Sequence, residues 1–453
     1  MVKSAKKALV ICMAAAMMMS SVTGCSGGGA KADASPTTEA VTEAKQEEAE
    51  VTEADSGSGE ADESDEDSED VEYSFSTPDG EEIGDAEDPG CNEASMMIED
   101  LKSPVTSENR GEYDYTDKAM EYLNYIGTNL KDRNAEDPEG SDHNKAVDWI
   151  KGELKAAGYT DDQIEDQETK SDGYNIHNIV LTIPGEDDSK QILAGAHYDG
   201  DGVGDNGSGT ALLLANAVGL KDKKPHYTTK LIFFDAEEMG LYGSSYYADN
   251  MTQEEIDKTL YMINIDAIAV GDYANVYGGL YTGQDAYLYD ESGDKTPPAL
   301  EAYNYAMKNA KNLGFDVQGT KELDGYYQKN GTGPEIKDNT LYTNPWTAAN
   351  PAPKNSLAFS PATIPASDHV GFMTKGIEYI YFEATNWFAG SDKSPFEAYT
   401  GYLETYDESL GENGMFMNTE YDTLDNLNTL FPGRAEAHFH MYSPLLSALL
   451  LSE

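Results

Sequence analysis

Five short segments of this 453-residue chain are apolar at nearly every position, and they constrain the fold more than any other feature. Runs of this length and character are typical of strands buried on both faces, as in a parallel sheet covered by helices. We therefore expect a largely parallel central sheet. The five segments are 178–183, 191–196, 229–234, 260–265 and 377–382.

Segments with helical spacing of apolar residues lie before, between and after these runs. Alternating strands and helices predict an α/β fold, here a three-layer α/β/α sandwich around a mostly parallel mixed sheet. We assign residues 110–453 to this folded domain. The predicted helical segments are 119–130, 143–157, 210–220, 242–250, 298–312 and 442–451.

The first 24 residues have the pattern of an export signal. Three lysines precede the apolar run 8–19, which is too short for a membrane-spanning helix of about 20 residues. The run leads into Val22-Thr23-Gly24-Cys25, which resembles the bacterial lipobox, and this implies that Cys25 is lipidated. We expect 1–24 to be a lipoprotein signal peptide and the protein to be exported. A lipid would then anchor it to the outer face of a bacterial membrane.

Acidic residues are concentrated in the next segment, 25–109. The chain has 84 Asp and Glu against 30 Lys and Arg, and the densest acidic run is 62–70. A segment with few large apolar side chains and strong self-repulsion cannot bury enough surface to offset its ordering entropy. We therefore expect residues 25–109 to form a disordered tether. The acidic balance also argues against binding to nucleic acid, which requires basic patches.

One histidine and several carboxylates follow the ends of three predicted strands. Ligands of open α/β sheets collect at the carboxyl ends of strands, so these side chains are expected to meet. Imidazole and carboxylate suit zinc, and the number of carboxylates indicates two ions with a further carboxylate as general base. In chain order the residues are His197, Asp199, Asp205, Glu237, Glu238 and Asp266.

The motifs that carry these residues resemble the co-catalytic zinc aminopeptidases, the family of bacterial leucyl aminopeptidase and glutamate carboxypeptidase. The resemblance covers about 113–451 and implies the zinc exopeptidase fold. It also implies a peptide substrate, which a zinc-bridging hydroxide hydrolyses with a glutamate as general base. The motifs are Ala-His-Tyr-Asp at 196–199, Gly-Asp-Asn-Gly-Ser-Gly at 204–209, Phe-Asp-Ala-Glu-Glu-Met-Gly-Leu-Tyr-Gly-Ser at 234–244 and Asn-Ile-Asp at 264–266.

The resemblance assigns the metal ligands position by position. His197 and Asp266 would bind one zinc, and Glu238 would bind the other. Asp205 would bridge the two ions. These assignments predict two zinc ions held at one edge of the sheet.

The resemblance also assigns the residues that act beside the metal. Glu237 would be the general base, and Asp199 would orient the imidazole of His197. His369 lies in a Ser-Asp-His sequence that is similar to a family motif near the active-site rim, where a role in the site and a structural role are both open. Asp235 is equally open between supporting the site and ending a strand.

The chain departs from the family at one ligand. The family carries His-Thr-x-x-Asp-Thr, whereas this chain has Asn418 in the histidine position of Asn-Thr-Glu-Tyr-Asp-Thr. An amide oxygen is a weaker zinc ligand than imidazole, so the second zinc should be held less tightly. Asn418 or a water completes the site, another histidine replaces it, or the protein is a catalytically impaired surface binding protein. A glutaminyl-cyclase-like acyltransferase is a further alternative, which the loss of this histidine disfavours.

Overall fold

The computed structural model describes residues 94–171, 174–271, 274–279, 301–318, 356–360, 367–384, 416–417 and 419–453. The predicted signal peptide 1–24, Cys25 and Asn418 lie outside the described residues, as does most of the predicted tether. No helix in the described ranges is both long and apolar enough to cross a membrane.

Within the described residues, nine strands form one mixed sheet in the order β1-β2-β4-β3-β5-β9-β6-β8-β7. Of the eight neighbouring pairs in the described residues, β1–β2, β2–β4 and β6–β9 are antiparallel and the other five are parallel. The predicted mostly parallel mixed sheet is therefore confirmed. The strands are β1 Ile164–Ser171, β2 Tyr174–Ile183, β3 Asp187–His197, β4 Tyr227–Phe234, β5 Thr259–Ile265, β6 Ala274–Gly279, β7 Asp316–Gln318, β8 Ser356–Ser360 and β9 Tyr379–Glu383.

Helices cover both faces of the sheet. Two short 3₁₀ helices, Ser95–Asp100 and Arg110–Glu112, precede the first α-helix of the described residues. The α-helices are α1 Thr116–Asn129, α2 His143–Ala156, α3 Gly207–Gly219, α4 Tyr242–Asn250, α5 Gln253–Lys258, α6 Glu301–Asn312, α7 Val370–Met373, α8 Leu424–Leu430 and α9 Arg434–Leu450.

The side chains of the central strands alternate between two apolar layers. In β4, Phe233 belongs to the larger core, which also contains residues of α1, α2, α3, α6 and α9. The next residue, Phe234, belongs to a smaller core with Tyr247 of α4 and Phe372 of α7. Full burial of one such side chain contributes about 1.5–3 kcal/mol. The alternation makes the three layers of the predicted sandwich.

The predicted strands and helices correspond closely to those observed. Each of the five apolar segments overlaps a strand, and the segment 242–250 coincides with α4. The pattern missed β1, because an edge strand with sequence Ile-Glu-Asp-Gln-Glu-Thr-Lys-Ser has no apolar run. It also missed the short strands β6, β7 and β8 and the short helices α5, α7 and α8.

The predicted boundary between tether and folded domain at residue 109 is too far along the chain. Ala94, Ile98, Leu101 and Val105 are buried in the larger core. Lys102 also exchanges two backbone hydrogen bonds with the C-terminal Glu453, at 2.9 and 2.8 Å. The high acid content of the segment obscured the spacing of its few apolar residues.

Three adjacent parallel strands place the predicted metal ligands. In the order β4-β3-β5, the carboxyl ends of all three strands lie at one edge of the sheet. His197 is the last residue of β3, and Asp266 directly follows β5. Glu237 and Glu238 follow the end of β4 by a few residues. The sheet thus presents all four side chains at the same edge.

Glu378, which directly precedes β9, is a buried carboxyl far in sequence from the metal motifs. Its Oε2 accepts a 2.8 Å hydrogen bond from the backbone N–H of Ala302 in the first turn of α6. Burial raises the pKa of Glu378 to about 8; the neighbouring Glu301 carboxylate adds to the shift, and the Ala302 bond opposes it.

We predict that Glu378→Gln removes a pH-dependent loss of stability. The unfolded chain releases this proton near the ordinary glutamate pKa, whereas the fold retains it to about pH 8, so its contribution falls as pH rises between these values. The variant should therefore gain stability relative to wild type from about pH 5 to about pH 8, by up to about 1.4 kcal/mol per pH unit. Urea unfolding across this pH range measures the difference in free energy of unfolding between variant and wild type. Glu436→Gln, an exposed acid in the first turn of α9, is the control, and its difference from wild type should not change with pH. A difference for Glu378→Gln that is also independent of pH would contradict the raised pKa of Glu378.

Candidate metal centre

The imidazole of His197 is the centre of the cluster at the sheet edge. The side chain is 1% exposed, and its Nε2 faces three carboxylates. The distances are 3.2 Å to Asp266 Oδ1, 3.3 Å to Asp205 Oδ1 and 3.9 Å to Glu237 Oε2. His197, Glu237 and Asp266 offer ligand atoms that all lie within 4.8 Å of one another. The structure thus brings together residues from four separate sequence motifs.

Asp199 connects the histidine to the turn that carries the two glutamates. Its Oδ1 lies 3.3 Å from Nδ1 of His197, on the opposite side of the ring from the three carboxylates. The same carboxylate accepts hydrogen bonds from the backbone N–H groups of Glu237 at 3.1 Å and Glu238 at 3.3 Å. Asp199 therefore fixes the turn as well as lying beside the imidazole.

The turn that carries the glutamates has a special backbone. Ala236 and Leu241, on either side of it, have φ values of 55° and 60°, in the left-handed region. The conformation directs Glu237 into the cluster, where its side chain is 13% exposed. Glu238 is the exposed member of the pair and lies over Gly200, where an added Cβ would be 3.1 Å from Glu238 Oε1. The adjacent glutamates thus occupy different environments.

Asp266 is oriented by side chains that its motif does not contain. Ser367 donates a 2.7 Å hydrogen bond to Asp266 Oδ2, and Asn264 Nδ2 donates to Ser367 Oγ at 2.7 Å. The Asn264 amide also lies 3.3 Å from Nδ1 of His369. His369 is buried, and burial lowers its pKa to about 3. His369 contacts the site through Asn264. Of the two roles that the sequence leaves open, the structure therefore favours one that supports the site.

The electrostatics of the cluster favour a cation. Burial, together with the nearby Asp266 carboxylate, raises the pKa of Asp205 to about 6. Burial also raises the pKa of Glu237 well above its ordinary value. Burial alone would lower the pKa of His197, but Asp266 and Glu237 outweigh it and raise that pKa. Several buried carboxylates can be ionised together only next to positive charge. Oxygen and imidazole nitrogen donors in this set match the preferences of zinc.

Two further acids near the site have different surroundings. Asp235, which directly follows β4, accepts hydrogen bonds from the His143 ring and the His177 backbone N–H, both at 2.8 Å. It therefore joins α2 and β2 to the end of β4 and is structural. Asp368 was not singled out from the sequence, yet it is fully buried, and burial raises its pKa to about 7. Its charge acts on Glu237, so it belongs to the electrostatic surroundings of the site.

Another group of potential metal ligands lies on the β1–β2 hairpin. Asp166, Glu168 and His177 present one ligand atom each within 4.8 Å of one another. Asp166 Oδ2, however, forms an ion pair with Lys151 at 2.5 Å. The ammonium group already supplies positive charge to this carboxylate.

Comparisons with known proteins agree with the motif positions. Residues 178–327 match the model of Peptidase family M28. A stretch of 129 residues is 36% identical to leupeptin-inactivating enzyme 1 of Streptomyces exfoliatus, covering 27% of this chain and 29% of that protein. Leucine aminopeptidase 2 of Trichophyton equinum is 33% identical over 129 residues, covering 27% of this chain and 25% of that protein. The chain thus spans less than a third of the length of these relatives.

Solved structures with related folds are more distant in sequence. Legionella pneumophila LapA aminopeptidase has a TM-score of 0.45 at 19% identity, covering 77% of this chain and 74% of that protein. A glutaminyl cyclase from an Acidobacteriales bacterium has a TM-score of 0.47 at 16% identity, covering 75% of this chain and 95% of that protein. Similarities of this size do not distinguish between activities.

We predict that Ser367→Ala weakens zinc binding. The Ser367 hydroxyl fixes the rotation of the Asp266 carboxylate, and loss of such outer contacts typically costs about 10- to 100-fold in metal affinity. Competition with a chelator measures the zinc affinity. Ser452→Ala is the control, because Ser452 is also buried and is hydrogen-bonded to Tyr261 near the start of β5. It should lower the melting temperature and leave zinc affinity unchanged. Equal zinc affinity in Ser367→Ala and wild type would refute the role of Ser367.

Proposed function

We propose, from the match of residues 178–327 to the model of Peptidase family M28, that this protein is a zinc-dependent exopeptidase, most simply an aminopeptidase. The observation that carries the proposal is the set of three carboxylates around one nitrogen of His197, of which Asp205 and Asp266 are buried and Glu237 is mostly buried. Such a site binds a divalent ion next to a carboxylate that is placed to accept a proton. The substrate would be a peptide.

The proposed ligand set divides the cluster between two ions. His197 and Asp266 would hold one zinc, Glu238 would hold the other, and Asp205 would bridge them. The 3.2 and 3.3 Å distances from His197 Nε2 to the two aspartates support a shared first site. Zinc bound there would polarise the scissile carbonyl and acidify the attacking water. The binding of a second ion is proposed on the resemblance and on the number of carboxylates.

Glu237 would move the proton during hydrolysis. Its carboxylate is mostly buried, and this burial raises its pKa and makes it a stronger base than an exposed glutamate. Its backbone N–H is held by Asp199, which fixes the position of the residue relative to the imidazole. We propose that the Glu237 carboxylate takes the proton of the attacking water and delivers it to the leaving amine.

The cellular location of the protein is proposed from the sequence alone. Residues 1–24 would be removed as a lipoprotein signal, and Cys25 would carry the lipid. The acidic tether after it would hold the folded domain away from an anionic surface. The enzyme would therefore act on peptides outside the cell, with the lipid as its contact with the membrane.

We predict that Glu237→Ala abolishes turnover but leaves zinc bound, because this residue is proposed to move protons and not to hold metal. Glu238→Ala is the matched variant. It removes the same group from the adjacent position and should lower both turnover and zinc content. Metal analysis of the purified proteins and hydrolysis of aminoacyl and dipeptide substrates measure the two effects. Near-normal hydrolysis by Glu237→Ala would contradict the base assignment.

The same assays separate the alternative functions. A surface binding protein would contain less than one zinc per chain and would show no hydrolysis even with added zinc. An acyltransferase related to glutaminyl cyclase would convert peptides with N-terminal glutamine to cyclised products and would leave other peptides intact. Release of free N-terminal residues from a range of peptides is the result expected for an aminopeptidase.

We predict that Asn418→His strengthens binding of a second zinc. Imidazole is a better zinc ligand than an amide oxygen, and the family pattern has histidine at this position. Titration should then show a second zinc bound at least about tenfold more tightly than in wild type, as expected for a gain of about 1.4 kcal/mol. Asn428→His, at an exposed position of the same C-terminal segment, is the control and should not change the titration. An unchanged second site in Asn418→His would remove position 418 from the ligand set.

A further inference from the structure

The loop between β3 and α3, residues 198–206, carries two of the proposed site residues, Asp199 and Asp205. It has no regular secondary structure beyond an isolated bridge within it and another to Arg133. Its conformation must therefore be fixed by other means, since the position of Asp205 depends on it. Two charged side chains from distant parts of the chain bind its backbone.

Arg133, in the connection between α1 and α2, binds the first half of the loop. Its side chain is among the largest fully buried ones in the described residues. The guanidinium donates to the carbonyls of Tyr198 at 2.6 Å, Gly202 at 2.7 Å and Leu130 at 2.7 Å. Its backbone N–H donates to the carbonyl of Gly200 at 2.9 Å. Arg133 thus donates hydrogen bonds to three carbonyl groups of this loop.

Asp422 binds the second half of the loop. Its Oδ1 accepts from the N–H of Gly204 at 2.7 Å, and its Oδ2 accepts from the N–H of Asp205 at 2.9 Å. The carbonyl of Asp422 also accepts from the N–H of Val203 at 3.2 Å. Asp422 lies four residues after position 418, so the same contacts join the C-terminal motif to the loop that carries Asp205.

The glycines of the loop show how closely Asp422 approaches the backbone. A Cβ added to Gly202 would lie 2.5 Å from Asp422 Oδ2 and 2.1 Å from the carbonyl oxygen of Asp205. A Cβ added to Gly204 would lie 3.0 Å from Asp422 Oδ1. Side chains at either position would displace the carboxylate. The contact between Asp422 and the loop therefore requires glycine at positions 202 and 204.

We propose that Arg133 and Asp422 are positioning residues that clamp the loop 198–206 and so set the place of Asp205 in the metal centre. The proposal rests on the proposed zinc function of that centre. Asp199, Asp205 and Asp422 all act on Arg133 electrostatically. Its positive charge alone would oppose a nearby metal cation, whereas its hydrogen bonds arrange the loop that binds one. Geometry and charge therefore predict opposite effects when Arg133 is replaced.

Two substitutions of Arg133 separate geometry from charge. Arg133→Lys keeps the charge but lacks the planar group that reaches three carbonyls, and Arg133→Gln removes the charge as well. If positioning dominates, both variants should bind zinc at least about tenfold more weakly than wild type in chelator competition. If Arg133 acts only through its charge, Arg133→Lys should bind as wild type does and Arg133→Gln should bind more tightly. That second pattern would overturn the proposal.

Asp422→Asn tests the other half of the clamp. An amide has one oxygen and a donating NH₂, so it cannot accept from both backbone N–H groups, and one contact becomes repulsive. Hydrogen exchange of the metal-free protein should show faster exchange at Gly204 and Asp205, and zinc should bind about tenfold or more weakly. Glu420→Gln is the control, because it removes an exposed carboxylate from the same segment. It should leave both measurements unchanged.

The two readouts keep the proposals separate. If wild type binds no zinc, the proposed function fails, while hydrogen exchange in the metal-free protein still tests the clamp. If wild type binds zinc tightly and Asp422→Asn binds it equally well, the positioning role fails and the proposed function stands. Unchanged hydrogen exchange at Gly204 and Asp205 in Asp422→Asn would also refute the clamp. The exchange rates report the local backbone hydrogen bonds to Asp422 and do not depend on enzymatic activity.

Discussion

The structure at the sheet edge depends on keeping several carboxylates close together in a buried place. Like charges at these distances repel strongly where water is excluded, and desolvation adds to the cost of each ionised group. The raised pKa of Asp205, about 6, is the direct sign of this cost. A divalent cation would lower that cost in a way that His197, with at most one positive charge, cannot. The arrangement of His197 and these carboxylates is therefore that of a metal centre.

A metal centre of this kind needs its carboxylates held in place against their own repulsion, and the backbone provides much of that restraint. Asp199 accepts two N–H groups from the turn that carries the glutamates, and Asp422 accepts two from the loop that carries Asp205. In each case the acid that accepts these bonds does not itself face Nε2 of His197. It fixes the backbone of a residue that does, which is Glu237 for Asp199 and Asp205 for Asp422. Arg133 contributes the matching donors to the carbonyls of that loop. Charge and geometry are thus supplied by different residues.

The sequence predicted the parts of this arrangement that depend on short, regular patterns. Apolar runs identified β3, β4 and β5, and the residues directly after them, such as His197 and Asp266, followed from the geometry of parallel strands. The clamp residues Arg133 and Asp422 could not be found in this way. They bind backbone atoms of segments that lie 69 and more than 200 residues away in the chain, and the motif that contains Asp422 does not specify the atoms it binds. The sequence did not predict a role for Asp368 for a similar reason, because only the fold buries this residue beside Glu237.

The two proposed metal positions differ in how the fold supports them, and this difference follows from sheet geometry. His197 and Asp266 stand at the ends of adjacent central strands, where packing on both faces fixes the backbone. Glu238 is exposed and belongs to a turn, and the described residues that follow position 418 are held to the loop of Asp205 through Asp422. An exposed ligand side chain loses more conformational freedom on binding an ion than a buried one. The strand-end position would therefore bind its ion more tightly even with histidine at 418. An asparagine at 418 would then increase an asymmetry that the architecture already creates.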